Sequence, residues 1–275
     1  MARIRYLAFL CTDASKIADF YIRYFGVKEV GRSSSNDVTL TDGFMNLTFF
    51  HWREELTEPR MEVGLHHLGV QVDDLEAVKK RYQQANPGGL IIPESGDLQH
   101  GKCRIFDPEC TPVSLSEEPF GIQTEIDALP RMRHIAYNAL YPGRIGDFYM
   151  DVLGFREVKS TESWRKRGRT NRFLGDGHSN LAIHPFYNDN VGHEARYGIN
   201  HFGFLVNELD NLVAALSKVV PIAERPDRPY EDYRAQDPEG NRIDISYSKG
   251  FEVDIDKWDM SPAAVRQSRR EKQQA

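Results

Sequence analysis

The sequence predicts an α+β protein built from a duplicated domain. Three observations carry this: a long internal repeat, an order of one strand, one helix and several strands within each half of the repeat, and a composition that supports a packed core. Three landmarks return in the same order. Ala18-Asp19-Phe20-Tyr21, followed by Phe25-Gly26-Val27-Lys28-Glu29-Val30, comes back 128 residues later as Gly146-Asp147-Phe148-Tyr149 and Leu153-Gly154-Phe155-Arg156-Glu157-Val158. Gly64-Leu65-His66-His67-Leu68-Gly69 recurs 134 residues later as Gly198-Ile199-Asn200-His201-Phe202-Gly203, and Asp107-Pro108-Glu109 recurs 130 later as Asp237-Pro238-Glu239. Repetition at a fixed offset decides architecture before any local reading. It implies domains over residues 1–122 and 131–250, with a break near Glu118 to Pro130 and an extension over 251–275.

Residues 3–10 form an apolar run. Ile17, Phe20, Tyr21 and Tyr24 then recur at helical spacing over 15–25, and Gly26 stops the helix where a left-handed residue is wanted. Strands follow at 38–41 and 46–51. A second unit opens with a strand at 66–72, continues through a helix at 74–85 and closes with strands near 102–106 and 112–116. The second half repeats the plan, with strands at 133–139, 180–184, 201–206, 231–235 and 242–247 and helices at 143–153 and 208–219. The run 237–241 is a tight turn in which proline presets one corner and Gly240 takes positive φ. Cys110 stands where that glycine would be in the first half, so the first turn is expected to differ.

Side chains alternate across a strand, so parity shows which residues share a face. His134 shares a face with Ala136 and Asn138, His201 with Gly203, and Asp244 with Arg242 and Ser246. Two imidazoles and a carboxylate on strand faces are the donor types of a facial triad, which leaves coordination positions open for substrate and for oxygen or water. Taken singly, each has an ordinary structural explanation: a hydrogen-bonded strand histidine, a solvent-facing aspartate. Their equivalent places in repeated units favour a joint site.

Composition narrows the partners. The chain has 275 residues, 40% of them hydrophobic and 28% charged, with 35 basic against 41 acidic side chains and a net charge of −6. The basic residues are interspersed with acidic ones, which argues against nucleic acid. Cys11, Cys103 and Cys110 contain no C-x-x-C pair, so neither a disulfide framework nor a thiolate zinc site is indicated. The cytoplasm is the default compartment. No segment approaches the roughly 20 apolar residues of a membrane helix, and the short run before Asp13 is not read as an export signal. The basic stretch Trp164 to Arg172 reads as a solvated loop.

The repeat, the helix text Asp147-Phe148-Tyr149 through Leu153-Gly154-Phe155, the strand histidines His134 and His201, and the closing run from Asp237 to Asp244 together resemble the vicinal oxygen chelate superfamily of glyoxalases, bleomycin and fosfomycin resistance proteins and extradiol dioxygenases. The resemblance spans nearly the whole chain to about Tyr247. It implies four βαβββ modules, paired so that each domain curls a mixed sheet around a cavity with helices outside. It implies metal ligands at His134, His201 and Asp244, with Fe(II) or Mn(II) as cofactor. The equivalent first-half positions are Tyr6, His67 and Ser114, which implies a metal-free amino-terminal domain. The family's carboxylate is normally glutamate, and here it is Asp244.

By this resemblance the leading expectation is a metal-dependent oxygenase of extradiol-like organisation, acting on a small catechol-like or otherwise vicinally oxygenated molecule. A glyoxalase-like lyase or isomerase and a non-catalytic binding module are the alternatives. Tyr233 and His184 are the acid–base candidates, because protons must leave the chelating hydroxyls. Tyr233 stands one residue early relative to the tyrosine of the extradiol signature. Related folds often pair, so a homodimer accompanies the small-molecule substrate among the expected partners.

Overall fold

The computed structural model describes residues 2–53, 63–94, 101–122, 129–158, 171–186, 197–228 and 230–247. The chain forms two compact units, each with one eight-stranded mixed sheet. The expected break at 118–130 includes residues 123–128, which lie outside the described residues, as do Trp164 to Thr170 of the basic stretch and the extension 251–275.

The first unit contains β1 (Arg3–Cys11), α1 (Ala14–Phe25), β2 (Lys28–Arg32), β3 (Val38–Thr41), β4 (Asn46–His51), β5 (Gly64–Gln71), α2 (Leu75–Ala85), β6 (Ile92–Pro93), β7 (Cys103–Phe106) and β8 (Pro112–Ser116). The second half of the chain contains β9 (Arg131–Ala139), α3 (Pro142–Leu153), β10 (Arg156–Glu157), β11 (Arg172–Gly175), β12 (Asn180–Pro185), β13 (Gly198–Leu205), α4 (Leu209–Leu216), β14 (Ile222–Glu224), β15 (Tyr233–Gln236) and β16 (Arg242–Ser246). The sheet orders are β2-β3-β4-β1-β5-β8-β7-β6 and β10-β11-β12-β9-β13-β16-β15-β14, so the two are topological copies. Each sheet is two βαβββ modules. They join through the antiparallel pairs β1–β5 and β9–β13, while each module closes through a parallel pair of its first and last strands.

Local chemistry sets the element ends. The Asp13 carboxylate accepts from the Lys16 N–H at 3.0 Å and caps α1, and Asp74 accepts from Ala77 at 2.8 Å to cap α2. Gly26 ends α1 at φ 65°. One face of α1 buries Ile17, Phe20, Tyr21 and Phe25. Tyr21 lies 5.3 Å from Phe49 and 6.3 Å from Phe9, ring centre to ring centre, which fastens the helix to one face of β1 and β4. Ile145, Phe148, Tyr149 and Val152 are the corresponding buried residues of α3.

The opposite face of each sheet carries a lateral row of residues set by register. In the second unit it runs Asn180, His134, Gly203, Asp244, Arg234. In the first it runs Asn46, Tyr6, Gly69, Ser114, Arg104. The glycine at the centre is a steric requirement: a Cβ on Gly69 would fall 1.8 Å from Cδ1 of Tyr6, whose ring leans across it.

The turn expected to differ is retained. Cys110 adopts φ 63°, as Gly240 adopts φ 87°. Asp107 Oδ1 holds the turn by accepting from the N–H groups of Glu109 at 2.9 Å and Thr111 at 2.8 Å. The left-handed conformation of a non-glycine residue costs roughly 1–2 kcal/mol. Cys110, which is exposed, therefore carries local strain that glycine would relieve, offset in part by glycine's greater freedom in the unfolded chain. Cys110→Gly is expected to raise unfolding stability by about 0.5–1 kcal/mol, measured as a rise in the urea midpoint with unchanged slope. No described helix is long and apolar enough to cross a membrane.

Candidate metal centre

His134, His201 and Asp244 are all buried, and each offers a ligand atom within 4.8 Å of the others. The row explains why. His134 and Asp244 flank Gly203 from either side, and His201 stands two residues before Gly203 on β13. With no side chain at the glycine, the imidazoles and carboxylate meet above it.

The imidazole ring nitrogens are held in matching fashion. Nδ1 of His134 lies 2.5 Å from Asn180 Oδ1, and Nδ1 of His201 lies 2.8 Å from Asn200 Oδ1. With the amide oxygens accepting, each Nδ1 carries the hydrogen, and each Nε2 presents a lone pair. The two Nε2 atoms face one another at 3.4 Å. His201 Nε2 also lies 3.2 Å from Asp244 Oδ2. Burial lowers the pKa of both histidines, that of His201 to about 3, where the Arg234 charge adds to the effect. Burial would raise the pKa of Asp244, but Arg234 and His201 outweigh it and hold the carboxyl well below its ordinary range. The donor set is therefore two neutral imidazoles and one carboxylate, with polar groups fixing the outer nitrogens. A divalent cation requires this arrangement of its ligands.

A protein cation already lies against the cluster. Arg234 donates through Nε to Asp244 Oδ1 at 2.5 Å and through Nη2 to Oδ2 at 2.9 Å, and Nη2 lies 3.0 Å from His201 Nε2. The guanidinium thus stands in for positive charge at both the carboxylate and one imidazole lone pair. The donor set fits a divalent metal, provided Arg234 yields Asp244.

The catalytic candidates are not joined to the trio. Tyr233 pairs with Ile245 while Arg234 pairs with Asp244, so alternation turns Tyr233 to the opposite face. Its pKa is raised by burial and by Glu224 and Asp210, the latter on α4. The site-facing place next along the strand belongs to Arg234. His184 does share the face of Asn180 and His134, but it stands four residues beyond Asn180 on β12, roughly 13 Å along the strand. There its ring packs edge-on to Phe173 at 5.9 Å.

Sequence reasoning missed three charged neighbours. Besides Arg234 these are Arg225 and Glu231, whose Nη2 and Oε1 are 3.7 Å apart. Burial and the Asp244 charge push the Glu231 carboxyl up to about 7. The available signal was parity: Arg234 lies ten residues before Asp244, and Arg104 lies ten before Ser114.

In the first unit the same row is filled by protein atoms. The Tyr6 hydroxyl lies 2.5 Å from His67 Nε2 and donates to Ser114 Oγ at 3.1 Å, so the phenol occupies the place that corresponds to the space among His134, His201 and Asp244 in the other unit. Phe50 and Phe120 pack around it. Arg104 is paired with Glu94, which also accepts from Ser114 Oγ at 2.9 Å.

The model of the Glyoxalase/Bleomycin resistance protein/Dioxygenase superfamily matches residues 131–245. The match lies within the second half of the chain, and both units have the βαβββ-repeat fold. A Mn(II)-bound glyoxalase from Novosphingobium aromaticivorans is 18% identical, covering 94% of this chain and 86% of its own, at a TM-score of 0.69. A 2,3-dioxygenase from Pseudomonas sp. KL28 is 15% identical over 88% of this chain and 91% of its own, at 0.63. A variant of homoprotocatechuate 2,3-dioxygenase from Brevibacterium fuscum is 19% identical over 94% of this chain and 74% of its own, at 0.61. A comparison with curated proteins found no match.

Buried histidines kept neutral make stability depend on pH. Their folded pKa values lie below the unfolded value of about 6.5, so the unfolded chain binds more protons in this window and stability falls as pH falls. Between pH 6.5 and 4.5 the urea midpoint of the wild-type protein is expected to fall more steeply than that of His201→Gln, which removes one such group.

Proposed function

We propose that the chain is a divalent-metal-dependent enzyme acting on a small substrate with oxygens on adjacent atoms, and that His134, His201 and Asp244 hold the metal. The observation that carries this reading is the pair of Nε2 lone pairs facing each other beside a buried carboxylate, with both Nδ1 atoms tied to asparagine oxygens. Fe(II) and Mn(II) both suit two imidazoles and a carboxylate. When bound, the metal would polarise two adjacent substrate oxygens and favour their anionic form.

The residues around the trio divide the remaining work. Asn180 and Asn200 fix the orientation and tautomer of the imidazoles. Gly203 keeps the space above the row open for substrate. Arg234 supplies a charge that never titrates at physiological pH, which suits an oxyanion but excludes it as a proton acceptor. Glu231, buried and half-titrated near neutrality, is the group placed to exchange a proton.

This distribution favours the glyoxalase-like lyase or isomerase over the extradiol oxygenase. The extradiol signature calls for a tyrosine on the site-facing side of the strand before the turn, and here Arg234 takes that side while Tyr233 faces away. A fixed cation beside a proton-exchanging carboxylate serves an enediolate-type intermediate. Oxygenation of a catechol-like molecule is the second reading, supported by the facial arrangement of the trio.

Two measurements test these readings. In protein purified without chelator and dialysed against Mn(II), His201→Ala is expected to lose at least nine-tenths of the bound metal while His67→Ala retains it; equal loss would place the site in the wrong unit. After anaerobic loading with Fe(II), addition of air-saturated buffer and a panel of catechols is expected to give no oxygen uptake above the metal-free control. Stoichiometric uptake would restore the oxygenase reading.

A further inference from the structure

We propose that Phe173, Ala182 and His184 form a specificity subsite beside the metal ligands, and that this subsite takes a flat ring of the substrate. The substrate class is then a small chelator whose vicinal oxygens carry an aryl or similarly planar substituent. This inference rests on the metal reading above and adds what lies beyond the chelating oxygens.

The first ground is the next lateral row on the site face. Beside the row of Asn180, His134, Gly203, Asp244 and Arg234, the register sets Phe173, Ala182, Ala136 and His201 across β11, β12, β9 and β13. Between the Phe173 ring and the His201 imidazole this row offers no more than the methyl groups of two alanines. Phe173 packs with Ala182 and Val158, and its ring centre lies 5.9 Å from that of His184 and 6.2 Å from that of Tyr230. A ring held over the alanines meets the metal ligands at one end and an aromatic wall at the other, and edge or offset contacts between rings stabilise it beyond the area they bury.

The second ground is the comparison of the two units. The same row in the first unit reads Thr39, Thr48, Ala8 and His67, with the two threonine hydroxyls 3.2 Å apart. Two residues further along the strands, Phe50 stands beside Leu10, and its ring stacks on His67 at 6.0 Å. The first unit thus keeps a ring of its own against the row histidine. In the second unit His184 takes the place of Phe50 and Asn138 that of Leu10. Its aromatic side chain stands instead at Phe173, in the place of Thr39. Among the described residues, the ring packed against His201 is that of His134.

The third ground is access. His134 and His201 keep 8% and 7% of their surface in contact with solvent, against 1% and 2% for Tyr6 and His67 in the corresponding places. His184 and Tyr230, at the aromatic wall, are half-buried. Solvent therefore reaches both ends of the second unit's strip, while the first unit's row is closed. Small-molecule sites are lined mainly by apolar and aromatic side chains, with a few polar groups that fix orientation. Phe173 and the alanines supply the first kind, and His184 and Asn138, one step further along the strands, supply the second.

The test uses Mn(II) and two hydroxamates, which bind metals through oxygens on adjacent atoms, as probes of the full-length protein. Acetohydroxamate carries a methyl group where benzohydroxamate carries a phenyl ring. Calorimetric titration of the Mn(II)-loaded wild type is expected to show benzohydroxamate binding at least tenfold tighter than acetohydroxamate. In Phe173→Ala that preference is expected to fall below threefold, with acetohydroxamate affinity within threefold of wild type. Ala182→Thr, which puts the first unit's side chain into the floor, provides the independent arm: benzohydroxamate should weaken at least fivefold and acetohydroxamate less than twofold. Equal affinity of the wild type for the two hydroxamates, or a preference that survives both substitutions, would overturn the subsite while leaving the metal reading intact. Absence of Mn(II) binding in the wild type would overturn both. If Phe173→Ala does not fold, the Ala182→Thr arm decides.

Discussion

Two imidazole lone pairs pointed at each other across 3.4 Å next to a buried carboxylate repel unless positive charge lies among them. The architecture of the second unit follows from that need. Asn180 and Asn200 hold the hydrogens on the far nitrogens, so the lone pairs cannot turn away. Gly203 clears the space, and Arg234 provides the positive charge from within the chain. A divalent ion would satisfy the same demand, so the proposed site offers a choice between an internal cation and an external one.

The first unit answers the same geometry by removing the demand. Its row carries Tyr6 instead of a histidine, and a hydroxyl that can donate and accept satisfies His67 and Ser114 at once. Aromatic side chains then close the face, with Tyr6, Phe50 and Phe120 packed together. Asn46, the counterpart of Asn180, no longer serves a histidine and donates instead to the Phe120 carbonyl at 2.9 Å. One backbone plan thus supports a buried cluster of candidate metal ligands and a filled polar core, and the difference resides in a handful of side chains along one lateral row.

Much of the fold was legible because its cause is repeated in the text. The helices announce themselves through apolar faces, α1 and α2 also carrying capping aspartates, and most inner strands through buried runs. Five strands were not foreseen: β2, β6, β10 and β14 are edge segments of two to five residues, mostly exposed and without alternating apolar side chains, so hydrophobic patterning carries no sign of them, whereas β11 is an inner strand of four residues that begins at the end of the basic stretch read as a loop. At the site, parity singled out His134, His201 and Asp244. Tyr233 was chosen for its side-chain type against its own parity, and the register turns it away. Arg234 escaped notice because an arginine on a short polar strand reads as solvent-facing; only the register shows it beside a buried acid. Cys110 escaped for a different reason, since the Asp107 bonds that hold its turn impose a conformation that residue type alone argues against.

On the proposed reading, the phenol of Tyr6 gives the molecule an internal blank. Any spectroscopic or calorimetric signal from an ion can be referred to a second copy of the same scaffold, in the same polypeptide and buffer, whose coordination point is plugged by a covalently attached hydroxyl. Grafting becomes a tractable exercise for the same reason, since the plug and the donors it displaces occupy corresponding places in one lattice of strands.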